Sequence, residues 1–232
     1  MKSIPKLRRA FFPALGLCLA LLPLLQAAPS ADEKKWIKEV VLGPEFGGAG
    51  KIVSLWTRKP KLSIMESQNA QFDAVLGKCV TELNTTLVRT PLGGVQMERS
   101  GAASADILVY HVPLSRFDRI ARQHKFKYEP NNYGYFWTFW NDRNEIYKAV
   151  VLISSDKLTG NFLHHFTLEE LTQSLGLSND SRIFEDSIFY GGQSEVISHS
   201  AADKRLVEFA YRRLRPGMTA REVDAAIASG YP

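Results

Sequence analysis

The chain has 232 residues, with 29 basic against 24 acidic side chains and 45% hydrophobic residues. That is enough apolar sequence for one domain with a sizeable core, and too much for a disordered or fibrous chain. The first residues carry four of the basic side chains (Lys2, Lys6, Arg8, Arg9) and no acidic one. What remains is 25 against 24, so neither nucleic acid nor an anionic membrane has an electrostatic footprint to bind.

Those four basic residues precede an apolar run from Ala10 through Leu25, interrupted by Pro13 and Pro23. Small residues follow: Ala27, Ala28, Ser30 and Ala31. A basic start, an apolar middle and a small-residue exit predict a cleavable export leader over 1–28, with cleavage near Ala27 to Ala31. The run is too short and broken for a membrane span. Cys18 follows Leu17 rather than a small residue and has much apolar sequence after it, which argues against a lipid anchor. The expected compartment is the periplasm or the outside of the cell, with no membrane span after cleavage. The mature domain, 32–232, keeps one cysteine, Cys79, and so has no internal disulfide.

Residues 32–50 begin charged and end in a Gly-rich turn, Gly47-Gly48-Ala49-Gly50. Lys51 to Trp56 and Leu62 to Met65 read as strands. Over 68–88, Phe72, Val75, Leu76, Cys79, Val80, Leu83 and Leu87 recur at helical spacing and predict a long amphipathic helix. Cys79 on that stripe reads as a small core residue rather than a reactive thiol. Val95 to Glu98 and Asp106 to Val112 predict strands, and the basic stretch 114–127 a helix. Tyr133 to Trp140 reads as extended, and Ile146 to Ile153 as a strong strand. A helix is expected between Thr159 and Leu175, stopped at Gly176. Another spans 201–214, with Ser200 and Asp203 at its start. A last one begins at Thr219, where Thr219 and Glu222 suit a capping box. Strands, a long helix, more strands, then helices make an α+β domain with a twisted mixed sheet, a motif helix and a helical C-terminal part.

The densest chemistry lies in Glu169-Glu170-Leu171-Thr172-Gln173-Ser174-Leu175-Gly176-Leu177-Ser178-Asn179-Asp180. Residues 169 and 173 stand one helical turn apart and point the same way. A glycine at 176 lets the chain turn sharply and bring residue 179 back toward them. That layout resembles the metzincin zinc motif H-E-x-x-H-x-x-G-x-x-H with its ligands replaced. Glu169, Gln173 and Asn179 stand at the histidine positions, Glu170 at the catalytic glutamate and Gly176 at the turning glycine. Downstream, Ser187-Ile188-Phe189-Tyr190 resembles the S-I-M-Y turn of metzincins. Ser200, Asp203, Val207, Ala210 and Tyr211 match the spacing of the helix that follows it there. The segment 169–180, Ser187 to Phe189 and Leu214-Arg215-Pro216-Gly217-Met218 together resemble a proteobacterial family of putative periplasmic proteins and lipoproteins, the domain of unknown function 2927. The resemblance implies a zincin-like single domain and an extracytoplasmic location. It implies no reaction.

Three functions compete. In the first, the standard zinc ligands are lost and no cofactor is held. The domain then binds a protein, peptide or cell-wall component through a cleft where Glu169, Glu170, Gln173, Asn179 and Asp180 converge. In the second, it is a peptidase or other hydrolase with an atypical zinc or other divalent-metal site. Glu169 and His165, four residues earlier on the same stripe, would be ligands and Glu170 the general base. Gln173 and Asn179 are poor zinc ligands and suit hydrogen bonds across the turn. Alternatively, Glu169 and Glu170 are first-turn acidic residues. If the helix starts late, Thr167 and Glu170 form a capping box with a Phe166–Leu171 staple. In the third, the six aromatics between Tyr133 and Trp140, Trp137 and Trp140 foremost, stack on sugars. The competing reading of that row is a strand packed on one face.

Overall fold

Ala149-Val150-Val151-Leu152-Ile153 is an unbroken apolar run, the pattern of a strand covered on both faces. It forms the heart of β6 (Glu145–Ser154), and all five of its residues are buried. Alternation then divides the run. Ala149, Val151 and Ile153 face a large core, and Val150 and Leu152 face a small one.

The computed structural model describes residues 29–43, 52–67 and 69–231. The leader and the turn at 47–50 lie outside them. Among the described residues a six-stranded sheet is built on β6. Beside it run β4 (Ile107–Val112), β2 (Lys61–Glu66) and the two-residue β3 (Gln96–Met97), all parallel. The short β1 (Leu55–Trp56) pairs in parallel with the first two residues of β6. Only β5 (Gly134–Trp140) runs antiparallel, against β6. The sheet is therefore mixed, as expected.

The large core joins this sheet to α1 (Ala31–Leu42), α2 (Ala70–Leu87), α4 (Gly160–Gln173), α5 (Ala201–Arg213) and α6 (Ala220–Gly230). The small core joins it to α3 (Phe117–His124) and the rings of Phe126 and Tyr128. The stripe expected on α2 is buried at Phe72, Leu76, Cys79, Val80, Leu83 and Leu87. Both capping boxes form, Ser200 with Asp203 and Thr219 with Glu222. Among the described residues no helix is long and apolar enough to cross a membrane. One element differs from expectation. The charged start of the mature chain is the helix α1, capped by Ser30 Oγ, and it buries Trp36, Ile37, Val40, Val41 and Leu42. Its apolar residues fall within seven positions behind four charged ones, too short a stripe to register as periodic.

The C-terminal end of α4 is held by two side chains from other elements. The Trp56 indole donates to the Ser174 carbonyl at 3.0 Å, and the Tyr211 hydroxyl donates to the Leu175 carbonyl at 2.5 Å. These side chains satisfy carbonyls that a helix end leaves without partners. Gly176 then turns the chain with φ +98°, and a Cβ there would lie 2.1 Å from the Ser54 carbonyl oxygen. Both the backbone angle and the space demand glycine. Gly176→Ala is expected to lower unfolding free energy by about 2 kcal/mol or more in urea denaturation. A loss under about 0.5 kcal/mol, the range of a neutral surface change, contradicts this account of the turn.

Candidate functional site

α4 begins at Gly160, so Glu169 and Glu170 lie in its third turn and the late-start alternative does not hold. Thr167 is no cap: its hydroxyl donates back to the Leu163 carbonyl at 2.6 Å. Glu169 is 9% exposed, Glu170 5% and Gln173 1%. Two carboxylates inside a helix packed between a sheet and other helices must be matched by protein groups. Glu170 lies beneath β5, against Gly134. A Cβ at Gly134 would meet Glu170 Oε1 at 2.4 Å and Phe166 Cδ1 at 2.7 Å. Glycine at the start of β5 is what makes room for the carboxylate.

His165, Glu169 and Gln173 follow one another at four-residue spacing on α4, and the first two are in contact. His165 Nε2 stands 3.4 Å from Glu169 Oε2. Its other nitrogen, Nδ1, is 2.7 Å from the Val196 carbonyl. A carbonyl only accepts, so Nδ1 carries the proton and, in the neutral ring, Nε2 presents its lone pair to Glu169. Burial holds the imidazole below its ordinary pKa.

The third member of the expected trio is a different residue. The Gln173 amide donates to Asp180 Oδ1 at 2.7 Å. Asn179 donates to the Asp180 backbone carbonyl, and its side chain lies within 3.3 Å of where a Gly43 Cβ would be. It lines a recess of about 720 Å³ between α1 and α6, with Lys34, Lys38 and Asp224. The turn at Gly176 thus returns the chain toward Gln173, but Asp180 is the residue that meets it. Gln173 Oε1 is buried with no hydrogen-bond partner among the described residues.

The downstream turn is fixed by one carboxylate. Asp203 is fully buried. Its Oδ1 accepts from the Ser187 hydroxyl at 2.6 Å. Its Oδ2 accepts from the backbone N–H groups of Ile188 and Ser200, at 3.0 and 2.8 Å. The turn in turn holds the segment after α4, for Ser181 N–H donates to the Phe189 carbonyl and Gly191 N–H to the Ser181 carbonyl. Phe189, where metzincins carry methionine, is buried edge-on to Trp36. The spacing of Ser187, Ser200 and Asp203 in the sequence therefore reflects a physical tie.

The aromatic row on β5 is largely covered. Phe126 stacks on Tyr135 and Trp137 at centroid distances of 5.9 and 5.5 Å, and meets Phe139 edge-on. Tyr135 is buried, and Trp137 and Phe139 are half-buried. Phe136 faces the large core. Tyr133 and Trp140 remain exposed at the two ends, and Tyr147 beside the strand end. Phe126 had no sequence signal, because it follows the end of α3 in a basic stretch with no periodic pattern to mark it. Cys79 is buried on α2, and its thiol is pushed up to about 12 by burial, which suits a packing role. His164, beside His165, is half-buried, and its backbone carbonyl is 3.8 Å from Cys79 Sγ.

Asp203→Asn is nearly isosteric but offers one acceptor oxygen where three donors converge. It is expected to cost about 2–4 kcal/mol of unfolding free energy, with the loss of protection in hydrogen exchange beginning at residues 187–190. Wild-type stability in that variant would remove Asp203 as the anchor.

No curated protein matches the chain in sequence. Among solved structures, that of myroilysin is similar over 82% of this chain and 98% of its own, at 10% identity and a TM-score of 0.44. A family profile described as a protein of unknown function, DUF2927, matches residues 34–229, nearly the whole of the domain built above, and the chain belongs to that family.

Proposed function

We propose that the protein is an exported, zincin-like domain that has lost standard zinc ligation and acts by binding a protein, peptide or cell-wall partner. The observation that carries this reading is the Gln173–Asp180 hydrogen bond. At the point where a zinc relative would gather three ligands, an amide nitrogen is committed to a carboxylate on the returning chain. An amide N–H has no lone pair to offer a metal, and the oxygen that is left, Gln173 Oε1, is a neutral carbonyl donor outside the Cys, His and carboxylate ligands of zinc sites, so the Asp180 bond ties the helix to the returning chain. The surfaces left for a partner are the exposed ends of the aromatic hairpin, Trp140 and Tyr147, and the recess lined by Asn179. Exposed aromatics of this kind supply contact area at little entropic cost.

One observation favours the hydrolase alternative. His165 is held through Nδ1 by a carbonyl, the way proteins commonly orient a metal-ligating histidine. The 3.4 Å between Nε2 and Glu169 Oε2 also matches the edge of a tetrahedron with metal–ligand bonds of about 2.0–2.1 Å. Zinc sites generally draw at least three ligands from the protein. Among the described residues no group of three or more His, Cys, Asp or Glu could hold a metal ion. The residues therefore fit half a site, and no catalytic step follows from them.

The test is direct. Tag-free protein is analysed for bound metal, and its melting temperature is measured with zinc and with chelator. We expect less than one metal per ten chains and no shift in melting. Stoichiometric metal that disappears in Glu169→Ala, with peptide hydrolysis that disappears in Glu170→Gln, would replace the binding reading with the enzymatic one. The surface is tested separately. Trp140→Ala is expected to weaken capture of peptidoglycan fragments or envelope protein at least about fivefold, equivalent to ~1 kcal/mol, with melting unchanged. Equal capture by wild type and variant would move the contact away from the hairpin.

A further inference from the structure

His199 lies just before α5, outside every motif described above, and its side chain is fully buried. Its Nε2 is 3.0 Å from the Thr172 hydroxyl oxygen. That hydroxyl has already committed its proton to the Leu168 carbonyl at 2.6 Å. Thr172 Oγ1 can only accept from the ring, so His199 carries its proton on Nε2 and leaves Nδ1 bare. Nδ1 has no hydrogen-bond partner among the described residues. What stands before it, at 3.9 Å, is Glu82 Oε1 on α2. The same oxygen accepts from the His199 backbone N–H at 3.1 Å and lies 3.3 Å from Lys204 Nζ.

The charged groups facing the ring are Glu82 from α2 and Asp203 and Lys204 from α5, while α4 contributes the uncharged Thr172. A second tie to α4 lies three residues earlier, where His165 holds the Val196 carbonyl. Residues 196–199 are thus fastened at both ends to the helix that carries Glu169, Glu170 and Gln173. We propose that His199 is a pH-sensitive clamp: the neutral ring pins residues 196–199 onto α4, and a proton on Nδ1 releases them.

The direction follows from where the proton goes. An imidazolium keeps its Nε2–H on Thr172, so release comes from the cost of a buried cation whose facing carboxylate, 3.9 Å from Nδ1, is already shared with an ammonium group and a backbone N–H. Burial holds the folded-state pKa below the ordinary value, with Asp203 and Glu82 opposing. The unfolded chain therefore takes up the proton first as pH falls. The contribution of neutral His199 is complete above about pH 6.5 and is lost as pH drops toward the folded-state value. One proton taken up on release changes the opening equilibrium by up to about tenfold per pH unit.

Nitrogen-15 NMR of the imidazole at pH 7.5 is expected to place the His199 proton on Nε2. Protection factors at residues 196–200 are expected to fall between pH 6.5 and 5 by up to about tenfold per unit. His199→Gln keeps a donor for Thr172 but takes up no proton, so protection at residues 199–200, beside the ring, should become independent of pH, while residue 196 stays tied by His165. Glu82→Gln removes the charge that favours the imidazolium, so release should move to lower pH in a chain that keeps its histidine. A ring proton on Nδ1 at pH 7.5, a pH dependence unchanged in His199→Gln, or a release pH unmoved by Glu82→Gln each overturns the clamp. If His199→Gln fails to fold, the wild-type titration and Glu82→Gln decide it.

Discussion

The constraint on which the rest depends is the burial of α4. From Thr167 to Leu177 eleven consecutive residues are buried. Six of them carry polar or charged side chains that have left water: Thr167, Glu169, Glu170, Thr172, Gln173 and Ser174. Such groups are costly unless matched inside the protein, and most of the local architecture answers that demand. The threonines bond back to carbonyls one turn earlier. Glu170 fits into the space made by Gly134, Glu169 lies beside the His165 ring, and Gln173 donates to Asp180. The final carbonyls take the Trp56 indole and the Tyr211 phenol.

This explains how the segment, whose spacing resembles a zinc motif, holds its helix-then-turn path with other side chains at the three ligand positions. The backbone path is fixed by forces that do not involve a metal. Gly176 turns because of its φ angle and the nearby Ser54 carbonyl. Asp203 ties the 187–190 turn to α5, and that turn pairs with Ser181 on the returning chain. With the path secured from outside the ligand positions, the side chains there are free to differ. The same burial extends to His165 and His199, the two imidazoles that hold one segment to α4.

Most elements were legible because each carries a local physical signature. The α2 stripe, the unbroken run of β6, the capping pairs Ser200–Asp203 and Thr219–Glu222 and the breaking glycine at 176 all act within a few residues of themselves. The α1 helix was not legible, since its apolar residues make sense only once Trp36 has Phe184 and Phe189 to pack against. The site was half legible. Helical spacing alone put His165, Glu169 and Gln173 on one line, but spacing could not say whether Asn179 or Asp180 would meet Gln173. Adjacent residues in an irregular turn differ in direction for reasons that lie in distant chain.

By itself, then, the sequence determined the order and type of most elements after α1, the α+β class, the helix-then-turn geometry and the family. Tertiary structure alone decided which side of each polar residue is sealed, and by what. It covered the aromatic row with Phe126, turned Asn179 to Gly43, and set Glu82 before the bare nitrogen of His199. The reason is range. Backbone preference and hydrophobic periodicity act over a few residues and are written locally. The partner of a buried polar group can lie a hundred residues away and is fixed only when the layers pack.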